Sequence, residues 1–186
     1  PRPFNTPSGK FEFFSRRIEQ AVEGMDLKMT GIRAAGDEIC MPHYEPVLTG
    51  RGNGSHSLRM VPYELINLSS GRAPTPPYLN KTLFDDQLRK EESFAEIHPE
   101  TAARYNLRDG DRVIIESRKG EVHVRVNLFE GAMPGMVYLP VGLGHWGYDD
   151  FFRGKGSSPN EIVDAGRDPL SGYPVWWSSP VKLTKA

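Results

Sequence analysis

The chain has 186 residues, 38% hydrophobic and 25% charged, enough for one domain with an appendage and a core that needs no covalent staples. A formal net charge of −1 and a pI near 6.6 argue against nucleic acid as a general partner. The single cysteine, Cys40, excludes a disulfide framework or thiolate metal cluster within the chain, and no run is long and apolar enough to cross a membrane. Nineteen glycines and 16 prolines suggest a loop-rich β protein. The chain opens at Pro1 without a signal peptide and reads as a fragment or processed piece.

Residues 1–60 read as an irregular lead-in from a preceding domain, and 61–186 as the main domain. Thr6-Pro-Ser-Gly-Lys10 is a turn signal, and Phe11-Glu-Phe-Phe14 alternates as a strand does. Ser15 is placed to cap a short helix running to about Val22. Gly24 to Pro46 has no sustained period, and Gly50 to His56 reads as a loose loop. A strand is predicted from Tyr63 to Ser69, followed by an irregular stretch through Pro77. Leu79, Leu83, Phe84 and Leu88 have helical spacing.

Residues 94–139 are the most legible part. Phe94 to Ile97 reads as a strand. Pro99 suits the first position of a helix, where a missing N–H costs nothing, with His98 as its cap and Glu100 favourable to its dipole. Asp109-Gly110-Asp111 ends that region with a residue able to take positive φ. Val113, Ile114 and Ile115 form a β-branched run. Lys119-Gly120 is a hairpin signal before Val122, Val124 and Val126, which alternate on one face. Gly131 and Pro134-Gly135 punctuate before a short strand from Met136 to Leu139, and Pro180 to Lys185 reads as a closing strand. The order indicates a mainly β fold with short helices, a small barrel carrying long loops.

Three loops have chemistry to offer. Ser69-Ser-Gly-Arg72, with Thr75 beyond it, presents hydroxyls, backbone N–H groups and a guanidinium suited to an anion; it also reads as an ordinary glycine turn with a solvated arginine. Gly142-x-Gly144-His145-Trp146 allows close backbone approach to a flat ligand; a packed aromatic corner is the alternative. Asn160, Asp164, Asp168 and Ser171 suit a purine edge or ribose hydroxyls, yet Asn, Asp and Ser are common turn residues. Trp176-Trp177 reads as core or interface before it reads as a stacking platform. The five histidines lack metal-ligand spacing, and Cys40 reads as a small buried apolar residue. No nucleophile constellation is present.

The sequence resembles a known family. Phe4-x-Thr-Pro-Ser-Gly-Lys-Phe-Glu-Phe-Phe-Ser15 resembles the approach to the C-terminal domain of molybdopterin oxidoreductase large subunits, the dimethyl sulfoxide reductase superfamily. His98-Pro-Glu-Thr-Ala-Ala-Arg104, Asp109-Gly-Asp-x-Val113 and Ser117-x-x-Gly120 resemble the core of that domain. Asn160-Glu161, Asp168-Pro-Leu-Ser-Gly172 and Val181-Lys-Leu183 resemble its tail. Gly71-Arg-x-Pro-Thr-Pro-Pro-Tyr-Leu-Asn80 is similar to the polysulfide, thiosulfate and tetrathionate reductase-like branch.

The resemblance implies a six-stranded double-psi β-barrel of the aspartate decarboxylase-like kind. It implies binding of bis(molybdopterin guanine dinucleotide), carrying molybdenum or tungsten in the whole enzyme and absent from the isolated chain. Ser69, Ser70, Gly71, Arg72 and Thr75 are the implied pterin–phosphate contacts, Gly144, His145 and Trp146 approach a pterin, and Asn160, Asp168, Ser171 and Trp177 serve the tail side. No catalytic residue or metal ligand is carried over, so the isolated chain is expected to be inactive. The implied partners are the remaining domains of its own large subunit, an iron–sulfur electron-transfer subunit and a membrane anchor, in a bacterial or archaeal enzyme; this chain itself is expected to touch neither nucleic acid nor membrane. Fold alone does not fix function, and a stand-alone double-psi barrel binding module without a redox role is the alternative.

Overall fold

The computed structural model describes residues 2–46, 57–65, 88–89, 91–147, 150 and 153–186. They form two compact units, one of Pro1–Leu48 with Gly166–Pro174, the other of Thr49–Ala165 with Val175–Ala186. The expected loop at 50–56 and the first-loop residues Ser69, Ser70, Gly71, Arg72 and Thr75 lie outside the described residues, as do residues 80–87 of the helical spacing expected over 80–89; its described end, Leu88–Arg89, is a strand paired with Glu92 and Ser93 instead.

The smaller unit is built from short local elements. Helix α1 (Arg16–Val22) starts where the sequence predicts, with the Ser15 hydroxyl accepting the Ile18 N–H at 3.3 Å. Asp26 caps α2 (Leu27–Thr30), which Gly31 ends at φ 84°. A 3-10 turn at Gly36–Cys40 buries Ile39 and Cys40. Phe11 to Phe14 is not a strand. The alternating pattern has no ladder partner; instead the Phe11 ring packs edge-on against Phe4 and Phe13, and Phe11 and Phe13 stay exposed.

The larger unit is the barrel. Its strands are β1 (Leu58–Tyr63), β2 (Leu88–Arg89), β3 (Glu92–Ile97), β4 (Arg112–Glu116), β5 (Glu121–Leu128) and β6 (Met136–Pro140), and, after a separate two-stranded sheet of β7 (Gly166–Arg167) and β8 (Pro174–Val175), β9 (Ser179–Lys185). The ladder runs β3-β5-β4-β9-β1-β6, and β6 returns to pair with β3, closing six strands. β1 with β6 and β3 with β5 are parallel; the other pairings are antiparallel. Alternate side chains point inward as strand geometry requires: Leu58 and Met60, Ala95 and Ile97, Val113 and Ile115, Val122, Val124 and Val126, Val137 and Leu139, Val181 and Leu183 make one core, which Ile162 joins from a loop.

The first barrel strand, Leu58–Tyr63, starts earlier than the predicted Tyr63–Ser69; Glu64 and Leu65 are not in a strand, and 66–69 lie outside the described residues. Its inward residues are Leu58, Met60 and Pro62; a proline in a strand is a poor sequence signal because it lacks the ladder N–H. The legible middle forms as expected. Helix α3 (Pro99–Arg104) has Pro99 in its first turn and the His98 imidazole accepting the Glu100 N–H at 3.1 Å. The Lys119-Gly120 turn closes the β4–β5 hairpin, with the Ser117 N–H on the Gly120 carbonyl at 2.9 Å. Gly110, at φ 77°, donates to the Val126 carbonyl while the Val126 N–H returns to Asp111, fastening this turn onto β5. Glu92 receives both Arg112 (2.9 Å) and Arg125 (2.7 Å) on the outer wall.

One buried charge cluster ties the small unit together. Glu45 accepts the backbone N–H groups of Arg33 and Ala34, and lies 3.2 Å from His43 Nε2. His43 Nδ1 donates to the Met41 carbonyl at 2.8 Å. Burial pushes the Glu45 carboxyl up, but the Ala34 and Arg33 N–H groups and His43 together bring it below its ordinary value. The Met41 carbonyl, and then Glu45, hold the His43 imidazolium above its ordinary range against burial. The signs set a window. The Glu45 contribution is complete above its unfolded value of 4.5 and is lost as pH falls through the lower folded value. The His43 contribution is complete below its unfolded value of 6.5 and is lost as pH rises through the higher folded value. Hydrogen exchange at the Arg33 and Ala34 amides, corrected for intrinsic chemistry, is therefore expected to be slowest between those two pH values. His43→Gln is expected to remove the alkaline limb only; loss of the acid limb instead would contradict this assignment.

Candidate functional site

Parallel pairing of β1 and β6 brings their C-terminal ends, Tyr63 and Pro140, side by side. The Val141 N–H continues the ladder onto the Tyr63 carbonyl at 2.9 Å. The antiparallel register of β9, with Ser179 opposite Met60, carries the residues before Ser179 toward the same end. A cavity of about 450 Å³ opens there. Its floor is Pro62, Tyr63 and Glu64 from the end of β1, with Val141 and Gly142 from the end of β6; His145, Ser158, Asn160, Val163 and Trp176 complete it. A cavity of that size accommodates part of a dinucleotide rather than the whole.

The wall that holds His145 and Asn160 is anchored by backbone and small residues. The Gly144 N–H bonds the Lys155 carbonyl (2.8 Å), and the Gly154 N–H the His145 carbonyl (2.9 Å), so segments 144–145 and 154–155 run together. The Gly156 N–H reaches the Glu91 carbonyl, and the Ser157 N–H the buried Ser93 hydroxyl at 3.1 Å. The Ser157 hydroxyl donates to the His123 carbonyl (2.8 Å), and the Asp164 N–H to the buried Ser179 hydroxyl (2.7 Å). Gly144 sits at φ 76°, and a Cβ there would lie 2.4 Å from the Ser158 nitrogen. Only glycine fits this junction.

The cavity is polar at chosen points. Tyr63 donates its hydroxyl to Glu96 at 3.0 Å. Burial, reinforced by the Glu96 charge, raises the phenol far above its ordinary range, so it stays a neutral donor. Asn160 is exposed and offers a donor and an acceptor. Trp176 is 43% exposed, with Trp177 packed edge-on at 5.5 Å between ring centroids.

Of the residues singled out from sequence, His145 and Asn160 meet at this cavity, with Gly144 immediately behind. The Trp146 ring instead covers Gly154, its nearest atom 3.2 Å from where a Cβ would sit. Trp177 lies beside the cavity residue Trp176. The Trp176 and Trp177 indoles are substantially exposed, so of the expected core or interface position the core reading does not hold. Asp168 and Ser171 belong to the smaller unit. There Asp168 Oδ1 accepts the N–H groups of Leu170 and Ser171 and the Ser171 hydroxyl, which together hold its carboxyl below the ordinary range. Sequence reading passed over Tyr63, Glu64 and Ser158 as site residues and ranked Trp176 as core or interface first; the usable signal was that Tyr63-Glu64 follows a buried strand, and that Trp176 follows the buried Val175.

Comparison with known proteins places this geometry. The sequence profile described as "Molydopterin dinucleotide binding domain" matches residues 76–176, which include His145, Asn160 and Trp176. The chain belongs to the molydopterin dinucleotide binding domain family. A menaquinone reductase molybdopterin-binding-like subunit of Nitratidesulfovibrio vulgaris is 32% identical over 129 residues, 69% of this chain and 19% of that protein. The arsenate respiratory reductase molybdopterin-containing subunit ArrA of Shewanella sp. (strain ANA-3) is 28% identical over 191 residues, 94% of this chain and 22% of that protein. Dimethyl sulfoxide reductase DmsA of Escherichia coli is 28% identical over 171 residues, 91% of this chain and 19% of that protein. The chain thus spans about a fifth of the length of these relatives. In fold, acetylene hydratase from Pelobacter acetylenicus superposes with a TM-score of 0.66 at 19% identity, covering 100% of this chain and 26% of that one. The expected six-stranded barrel and the family assignment both hold.

The glycine junction is directly testable. Gly144→Ala is expected to destabilise the domain by about 1–3 kcal/mol, because backbone atoms cannot yield to the added methyl. Gly147→Ala, where a Cβ meets nothing within 4 Å, is expected to stay within roughly 0.5 kcal/mol of wild type. Urea denaturation of the two variants reads the difference.

Proposed function

We propose that this chain is the cofactor-closing domain of an oxidoreductase large subunit, and that the cavity at the ends of β1 and β6 holds a heterocyclic end of a molybdopterin dinucleotide. The observation that carries this is the meeting of Asn160, His145 and Trp176 around a glycine-built wall, within the stretch matched by the family profile.

The donor set suits a flat, polar ring system. Trp176 offers an apolar plate, and Asn160 pairs with a ring edge. The Glu64 carboxylate accepts ring N–H or amino groups and would repel a phosphate. The phosphates are therefore assigned to another loop, with Ser69, Ser70, Gly71, Arg72 and Thr75 as candidates; an arginine beside hydroxyls and backbone N–H groups is the natural anion partner. The guanine form of the dinucleotide, and molybdenum or tungsten as its metal, belong to this same proposal. When bound, the cofactor supplies the redox chemistry; these residues bind and orient it and exclude water.

On the same reading, residues 1–60 lead in from a preceding domain and 61–186 form the barrel domain. The named relatives span menaquinone, arsenate and dimethyl sulfoxide reductases, so the substrate is selected by the polypeptide outside this chain. The partners are the rest of that large subunit and, through it, an electron-transfer subunit and a membrane anchor.

The test is cofactor content in the intact large subunit. Asn160→Ala and Trp176→Ala change exposed side chains, so folding is expected to survive. Together they are expected to lower released pterin per polypeptide by roughly tenfold, the equivalent of about 1.4 kcal/mol of lost grip. Acid hydrolysis of the wild-type protein is expected to release GMP. Unchanged pterin content in the double variant would remove this cavity from the reading, and release of another nucleotide would replace the guanine assignment.

A further inference from the structure

The smaller unit has almost no core of its own. Among its described residues the buried apolar side chains are Ile39 and Cys40, whereas the barrel buries a continuous cluster. Phe14, Ile18, Leu27 and Ile32 are half-buried, and a set of large aromatic side chains faces outward. Phe4, Phe11 and Phe13 are 57%, 62% and 71% exposed and form a chain of edge-packed rings, with centroids 5.9 and 4.9 Å apart. Met25, Met29 and Tyr44 of the same unit are also exposed. So little apolar burial contributes little to holding the unit, and contiguous exposed aromatics mark a surface that something covers.

We infer that the Phe4–Phe11–Phe13 face is a docking seam covered by other domains of the same large subunit. The inference rests on the reading of this chain as one part of a longer polypeptide. Two observations choose that occupant. The Shewanella arsenate reductase subunit matches 94% of this chain, so nearly all of it has a counterpart there, within only 22% of that protein. The remaining four-fifths is ample polypeptide to bury the seam. The cofactor-domain profile begins at residue 76, beyond residues 1–48 of the smaller unit. The aromatic face is therefore outside the part of the chain matched as cofactor-binding, and its apolar chemistry suits a packed protein surface rather than a phosphorylated ligand. Rings already locked edge to edge lose little further rotamer freedom on docking, which favours them as interface anchors.

Hydroxyl-radical footprinting read by mass spectrometry tests the seam side chain by side chain. In the intact, native large subunit, Phe11 and Phe13 are expected to oxidise at least tenfold more slowly than in the same polypeptide unfolded in urea. In the 186-residue chain they are expected to oxidise at rates within about threefold of the unfolded ones, with light scattering reporting a monomer. Fast oxidation in the intact subunit overturns the proposal. Protection in the 186-residue chain also overturns it: a dimer would make a second copy the occupant, and a protected monomer would make the chain's own barrel the cover. Pterin content measured on the same intact sample separates the two readings. Fast oxidation with full cofactor defeats the seam alone, and protection without cofactor defeats the cofactor reading alone.

Discussion

The structure depends on one strand satisfying two partners. β6 pairs parallel with β1 over Arg59–Tyr63 and antiparallel with β3 through Tyr138 and Val137. Without the second pairing the sheet is open, with β6 and the Glu96–Ile97 end of β3 as exposed edges that invite association. With it, every inward residue of the six strands faces a common interior, and Met60, Ala95, Ile97, Val113, Ile115, Val126, Val137 and Val181 lose all contact with solvent. The same closure decides where chemistry can occur. A side-chain-filled barrel of this size has no lumen for a ligand, so binding must be at an end, and the parallel pair sets the ends of β1 and β6 together with their loops pointing the same way.

The loops at that end are held by groups that contribute no ligand chemistry. Ser93 and Ser179 are buried hydroxyls spent on backbone N–H groups of the 157–164 stretch. Ile162 inserts into the barrel core from that stretch, leaving Asn160 two residues earlier free to face outward. Rigid backing of this kind makes a loop residue usable for recognition, because a side chain on a frayed loop loses in ordering what it gains in contact. The Glu45–His43 cluster does comparable work in the smaller unit, where there is little apolar burial to hold the chain.

Much of the barrel was readable in advance because its signals are local. The β-branched run at Val113–Ile115, the Lys119-Gly120 turn and the alternation of Val122, Val124 and Val126 each act within a few residues. The His98-Pro99 helix start is likewise self-contained. What was not readable depends on pairing across the chain. β1 lies more than 70 residues before its parallel partner β6, and its own pattern is interrupted by Pro62, so the apolar run after it looked like the better strand. Phe11 to Phe14 has the right period and no neighbour, and period without a neighbour does not make a strand. At the site, the glycines at 142 and 144 suggested close approach to a flat ligand; what Gly144 meets is the backbone of Ser157 and Ser158. The choice of Trp176 over Trp177 turns on which of two adjacent residues faces the end of β1, and that is fixed only by the register of β9.

The central claim is that a heterocyclic end of the cofactor occupies the cavity beside Asn160 and Trp176. A density map of the cofactor-loaded large subunit tests it most directly. A bicyclic ring is expected to lie against the Trp176 indole, with a ring-edge atom within hydrogen-bonding distance of the Asn160 carboxamide. A fully ordered cofactor whose rings all lie elsewhere, with only water between Asn160 and Trp176, would contradict it.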